Sequence, residues 1–257
     1  MTLGHRPRDE SPAQPAAGYV YAIVPAGART PTDLAGLDGR PVQVIGHGSV
    51  GAVVGAVRSD RTFGRRADLL AHRQVVDTFA ERVPVMPVRF GSVVAGSAEI
   101  VGELLAPNVE YFADVLASLA GRRQFVVRAR YDEASVLAEV VSENPDIAAL
   151  RERTRELPEH AGWADRVRLG ELVSAALEAK REVDGRTVLD HLDPHVAERN
   201  VRSATGVDDL IHVALLVDEE RRTEFEDAAE RVAAALSGRA TVQLMGPAAP
   251  YDFTPEA

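Results

Sequence analysis

The sequence contains no cysteine. That absence excludes disulfides, thiolate catalysis and cysteine-based zinc sites, and it fits a reducing compartment. Lysine is nearly missing as well. Lys180 is the single one among 29 basic residues, a bias that reflects GC-rich coding rather than a mechanism. No run of about 18 uncharged apolar residues occurs, which predicts no membrane span. Residues 1–18, "MTLGHRPRDESPAQPAAG", lack the apolar centre of a signal peptide and read as a disordered, solvated Pro/Ala tail. Positive charge is in deficit: 39 acidic residues give a net charge of −10. Such a surface repels nucleic acid and anionic lipid, and no Arg-rich stripe overrides it. Neither nucleic acid nor membrane is expected as a partner.

No short-period repeat and no Walker loop is present. In no motif do acid, base and nucleophile converge. The chain therefore reads as a non-enzyme with no cofactor and no metal. "GHGSVG" (46–51) matches G-x-G-x-x-G literally, but the residues after it, "AVVGAVRSD", are strand-like. A dinucleotide needs a helix N-terminus there, so the segment reads as strand, turn, strand. "DHLDPH" (190–195) spaces His191 and His195 four apart, which suits a metal on one helix face. Pro194 interrupts that geometry, and the segment reads as a helix end with solvated histidines. His5, His47, His72, His160 and His212 are scattered. The carboxylates Asp218, Glu219, Glu220, Glu224, Glu226 and Asp227 suit the N-terminal turn of a helix.

At 257 residues, one large or two modest domains are expected. "YVYAIV" (19–24), "PVQVIG" and "VGAVVGAV" read as strands. Val76, Phe79, Ala80 and Val83 recur at helical spacing. "VPVMPVRFGSVV" (83–94) reads as a further strand ending near Gly91. Residues 97–120 read as a helix that Pro107 breaks or kinks. After Gly121 come a strand, "QFVVRARY" (124–131), and a long helical stretch to about 200, punctuated at Asn144-Pro145, Pro158 and Gly185. A strand at 208–217, a helix bearing Phe225, Ala228, Ala229, Val232, Ala233 and Leu236, and a strand at 240–245 complete the chain. The fold class is α+β with two sandwich-like halves. The expected domains are 19–121 and 122–245, the second with a helical insertion. Residues 246–257 form a docking tail.

Two stretches break the strand rules. The first holds Pro84, Pro87 and a lone Arg89 in an apolar run. A core strand tolerates neither proline nor an unpaired arginine. The expectation is a short edge strand with 86, 88 and 90 on one side and 85, 87 and 89 on the other. Arg89 would then pair with Asp77 or Glu81 of the preceding helix, a structural tie rather than a partner contact. The second stretch is "LMGPAAPYDF" (244–253), Pro-rich yet ending in Tyr251 and Phe253. It reads as a segment pinned across a domain face, with a rigid protein-docking strip as the other reading.

Together these segments resemble the gas vesicle protein F/L family (GvpF/GvpL). The resemblance rests on "YVYAIV", on "VMPVRFGSVV" with Arg89, Phe90 and Gly91, on "LGELVSAALEAKREVDG", and on the tail with Gly246, Pro247, Pro250, Tyr251 and Phe253. It covers nearly the whole chain after residue 18. Two positions depart from the family pattern. Ser92 stands where Thr is usual, and Ala249 stands where the tail usually has a second proline, which would loosen it. The resemblance implies an accessory or minor structural protein of gas vesicle assembly, located with gas vesicles in the cytoplasm. Its partners would be the small, apolar main shell protein and other vesicle accessory proteins. It also implies that the N-terminal domain is ferredoxin-like. The alternatives are a protein-interaction module or assembly chaperone of another pathway, and a small-molecule enzyme using the Gly-rich turn.

Overall fold

The computed structural model describes residues 16–254, except 59, 157, 159–161, 204–205 and 207. The expected tail over 1–18 lies outside the described residues up to 15. Residues 16–18 are not tail but the start of the first strand. The chain divides into two compact units, Met1–Ala120 with Ala249–Ala257, and Gly121–Ala248. Among the described residues, no helix is long and apolar enough to cross a membrane.

In the N-terminal unit, β1 (Ala16–Pro25) pairs along its length with β3 (Val50–Arg58), which pairs in turn with β2 (Val42–His47). The β2–β3 hairpin turns on Gly48 and Ser49. Gly48 has φ +58°, the positive value that such two-residue turns demand. So "GHGSVG" is strand, turn, strand, and no helix follows it. The sheet order is β2-β3-β1-β4, with β4 reduced to Met86–Pro87 and β5 (Val93–Val94) also pairing with β1. Helix α1 (Arg66–Ala80) buries Val75, Val76 and Phe79 with Tyr19, Tyr21, Val24, Val53 and Val57 of the sheet. A second helical run starts as α2 (Ser97–Glu99) and widens into a π-turn at Ile100–Leu105. It tightens to 3-10 at Ala106–Asn108 and continues as α3 (Val109–Ser118). Pro107 sits at the tightened turn, where its missing N–H does least harm. This run packs on β1, β3 and β4. Val20 and Ile23 are accordingly as buried as Tyr19 and Tyr21.

The stretch 83–94 is not one strand. Pro84 and Pro87 remove ladder donors, so pairing is limited to Met86–Pro87 and resumes only at Val93–Val94. The expected two-sided alternation fails with it: Val85, Met86 and Pro87 are all buried, and Arg89 is exposed.

The C-terminal unit runs β6 (Arg122–Tyr131), α4 (Glu133–Glu143), α5 (Pro145–Glu156), α6 (Trp163–Leu192), β7 (Glu198–Val201), β8 (Asp209–Asp218), α7 (Arg222–Ala235), β9 (Ala240–Ala248). Its antiparallel order is β7-β8-β6-β9. With α4–α6 counted as one crossover, this is the full β-α-β-β-α-β succession of a ferredoxin-like fold. The N-terminal unit shares that strand order, but its β1-to-β2 crossover is a loop carrying one 3-10 turn (Leu37–Gly39) in place of a helix. The C-terminal core joins Phe125, Val127 and Ala129 to Val213, Leu215 and Val217, under Val188, Leu192, Phe225 and Val232. Phe125 and Phe225 meet at 5.0 Å between ring centres. Burying each such ring is worth about 3 kcal/mol.

Three sequence expectations need correction here. Gly185 does not interrupt α6; it is buried where a Cβ would lie 3.8 Å from Leu210 O. Residues 198–201 are a strand, not helix, and all four are exposed, so no burial period marks them. The last strand runs three residues beyond Met245.

Candidate functional site

Phe90 and Gly91 of the middle motif and Tyr251 of the tail meet in the N-terminal unit, around a residue the motifs do not contain, His72. Arg89-Phe90-Gly91-Ser92 is a tight turn. Ser92 N–H and Ser92 Oγ both donate to Arg89 O, at 3.3 and 2.8 Å. Gly91 has φ +94°, which a side chain resists and a turn of this kind requires at its third residue. Ser92 contributes only a hydroxyl, which a threonine in its place would also carry. The Gly91 N–H donates to Tyr19 Oη at 3.0 Å.

Tyr19 Oη lies 2.9 Å from His72 Nδ1. With the ring neutral, the Tyr19 hydroxyl accepts from Gly91 and donates to Nδ1, and Nε2 carries the ring proton. Nε2 is buried and has no hydrogen-bond partner among the described residues. Burial holds the His72 ring down at about 4, against the opposing charge of Asp77. Burial likewise pushes the Tyr19 phenol up to about 12, against the Gly91 hydrogen bond. The His72 ring stacks on Tyr21 at 5.6 Å and meets Phe90 edge-on at 5.6 Å. Tyr251 lies 6.3 Å away. Phe63 adds a ring 5.2 Å from Tyr19 and carries the Arg61 guanidinium 4.9 Å from its centre. Such tilted and edge-on pairs stabilise by about 1 kcal/mol each beyond their area.

The tail is held beside this cluster. Ala249 is fully buried, and its N–H donates to Asp77 Oδ1 at 3.0 Å. A proline there would have no N–H to give. The Ala249 departure therefore supplies a tie that the double proline lacks, contrary to the expected loosening. Pro250 is buried. Tyr251–Phe253 form a 3-10 turn in which Phe253 is half-buried. Gly246 and Pro247 are elsewhere, in β9 of the C-terminal unit. Gly246 has φ +131°, and a Cβ there would lie 2.8 Å from Gln124 O and 2.9 Å from the Phe125 ring.

Arg89 does not do what its position suggested. Its side chain is exposed and has no ion pair among the described residues. Asp77 is engaged instead with Arg73 at 3.1 Å and with the tail amide.

Two further features lie outside this cluster. A shallow, open groove of about 250 Å³ runs along α3, lined by Pro25, Ser49, Pro84, Ala113, Leu116, Ala117 and Ala120. Ser49 is its one polar residue among the described residues. In the C-terminal unit, Arg239 bonds Glu139 and Asp184, Lys180 bonds Glu139 and Glu143, and Tyr131 donates to Asp184. Arg239 above all, then Lys180, holds Glu139 down at about 2. These groups are mutually satisfied and tie α4 and α6 to the sheet. Among the described residues, no group of three potential metal ligands occurs. His191 Nδ1 contacts Thr187 O, and His195 lies 3.7 Å from Glu224.

Sequence reasoning missed His72 as a centre. The signal was present: His72 is four residues before Val76, on the same helix face. Tyr19 and Tyr21, two apart, both turn toward that face.

The chain is 27% identical over 241 residues to gas vesicle protein F of a Streptomyces species, covering 91% of this chain and 98% of that one. It is 24% identical over 260 residues to gas vesicle protein L1 of Halobacterium salinarum, covering 93% and 90%. The crystal structure of GvpF from Anabaena sp. matches with a TM-score of 0.82 at 22% identity, covering 94% of this chain and 99% of that one. GvpF from Microcystis aeruginosa matches at 0.77 and 21%, covering 92% and 98%. At that identity the structural likeness is one of fold. Residues 17–255 match the family model for gas vesicle synthesis protein GvpL/GvpF, and the chain belongs to that family.

Proposed function

We propose that this chain is a non-catalytic accessory or minor structural protein of gas vesicle assembly that binds the apolar main shell protein and other vesicle proteins. A shell dry on one side needs subunits that expose apolar surface before assembly, and such surface aggregates when left uncovered. An acidic partner with an apolar contact strip would cover it and keep the complex dispersed. The observation that carries this reading is the α3 groove. Its small and apolar lining, open to solvent, suits an apolar side chain of a partner. The motif residues serve that surface indirectly in this reading. Phe90, Gly91, Pro250 and Tyr251 fasten a turn and the tail around α1, and exposed Arg89 is left for partner contact.

Ala117 is exposed on α3, so Ala117→Glu puts a charge in the groove without touching the core. The expected outcome is an unchanged melt, within about 0.5 kcal/mol, and lost retention of purified shell subunit in a pull-down. Full retention by this variant would remove the groove from the proposal. No retention by the unaltered chain would remove the binding role itself.

A further inference from the structure

Strand β9 ends its sheet; among the described residues the order has no neighbour beyond it. Sheet edges are templates for another strand, and proteins blunt them with short length, charge or proline. The other edge, β7, is blunted: four residues, with Glu198 and Arg199 among them. β9 is not. Over nine residues, "ATVQLMGPA", it carries no charge until the chain leaves it, although charged residues make up 26% of the sequence. It exposes Leu244 at 39% and Met245 at 46%.

The backbone direction can be worked out. Asp132 N–H donates to Arg239 O at 2.8 Å, just before β9 begins. The register then pairs Arg130 with Thr241, Arg128 with Gln243 and Val126 with Met245. In an antiparallel pair, residues two apart share the same bonding direction. Thr241, Gln243 and Met245 therefore turn their N–H and C=O groups toward β6, and Val242 and Leu244 turn theirs outward.

We propose that two copies of this chain join through β9, antiparallel, about a two-fold axis at Gln243. That arrangement sets Val242 opposite Leu244 of the second copy, each pair exchanging both backbone hydrogen bonds. Thr241 meets Met245 on the other face, and Gln243 meets itself. No like charges are opposed, which matters for two chains of net charge −10 each. An uncharged strip is where they meet at least electrostatic cost. Pro247, lacking a donor, ends the paired segment. This inference does not depend on the shell-binding role.

Sedimentation of the full chain over a range of concentrations tests the pairing. The unaltered protein should form a dimer. Gln243→Lys and Gln243→Glu, each placing like charges face to face, should each weaken it about tenfold or more. An equimolar mixture of the two should restore it. Gln243→Glu lies across from Arg128, so it keeps the fold, and Arg199→Glu on β7 should leave association unchanged. The absence of native cysteine allows a check of register. Gln243→Cys should form a disulfide-linked dimer on mild oxidation. Thr241→Cys and Met245→Cys should not, because two copies of either lie about 14 Å apart at ~3.4 Å per residue. A monomer at every concentration, charge variants that associate like the unaltered chain, loss of association in the β7 variant, or cross-linking no stronger at 243 than at its neighbours would each overturn the proposal.

Discussion

Acid should loosen the N-terminal unit through one ring, and the size of the effect follows from the burial of His72. In the unfolded chain His72 titrates near 6.5; folded, burial holds it at about 4. Between those values the unfolded state carries a proton that the folded state does not. Stability therefore rises with pH across this window and falls as pH drops through it. At 1.36 kcal/mol per pH unit, the gap amounts to about 3 kcal/mol once both states are protonated, and to about 2 kcal/mol near pH 5. His72→Gln offers Tyr19 an acceptor but cannot titrate. Urea unfolding followed by the tyrosine band in near-ultraviolet circular dichroism is a suitable assay, since Tyr19, Tyr21, Tyr111 and Tyr251 all lie in the N-terminal unit. Glu139, held at about 2, loses its contribution only as pH falls below about 4.5, and it does so in both proteins. Subtracting the two curves isolates the histidine. The difference should be level above pH 7 and shift by about 2 kcal/mol in favour of the variant near pH 5. A difference that stays flat over that range would refute the reasoning, because a buried neutral imidazole cannot be free of this penalty.

Two other substitutions test the motif residues. Gly246→Ala combines a positive φ with a Cβ under 3 Å from backbone and ring atoms, so it should cost about 3 kcal/mol in urea unfolding; Gly27→Ala, with nothing within 4 Å, is the matched control. Arg89→Ala should leave the melting temperature unchanged, within about 0.5 kcal/mol, because the side chain is exposed and has no ion pair among the described residues, and a clear drop in the melt would restore the structural role first expected of it.

How much of this was legible depended on whether burial left a period in the sequence. Tyr19–Val24, Val50–Val57 and Phe125–Ala129 are buried strands and read as such. The α7 stripe from Phe225 to Leu236 read as a helix because its apolar residues recur at the helical spacing. β7 was illegible because every one of its residues faces solvent. Gly185 looked like a breaker, but a single glycine costs a helix only about 1 kcal/mol against alanine, and α6 runs through it with Gly185, Val188 and Leu192 buried. Arg89 was misplaced for a related reason. A strand would have aimed it at α1, but Gly91 turns the chain first. His72 could be put on the inner helix face from spacing alone. Its neighbours could not be named, because they come from residues 19, 21, 90 and 251, far apart in the chain. Likewise, no pattern announces that Ala249 will hand its amide to Asp77.

The last nine residues count with the N-terminal unit, while residues 121–248 form the other one. Topologically, the second unit is an insert: the polypeptide departs from the first unit once and comes home at Ala249. Removing residues 249–254 would thus wound the half of the molecule that was synthesised first. That half cannot be complete on the ribosome until the codons for the segment after residue 248 have been read.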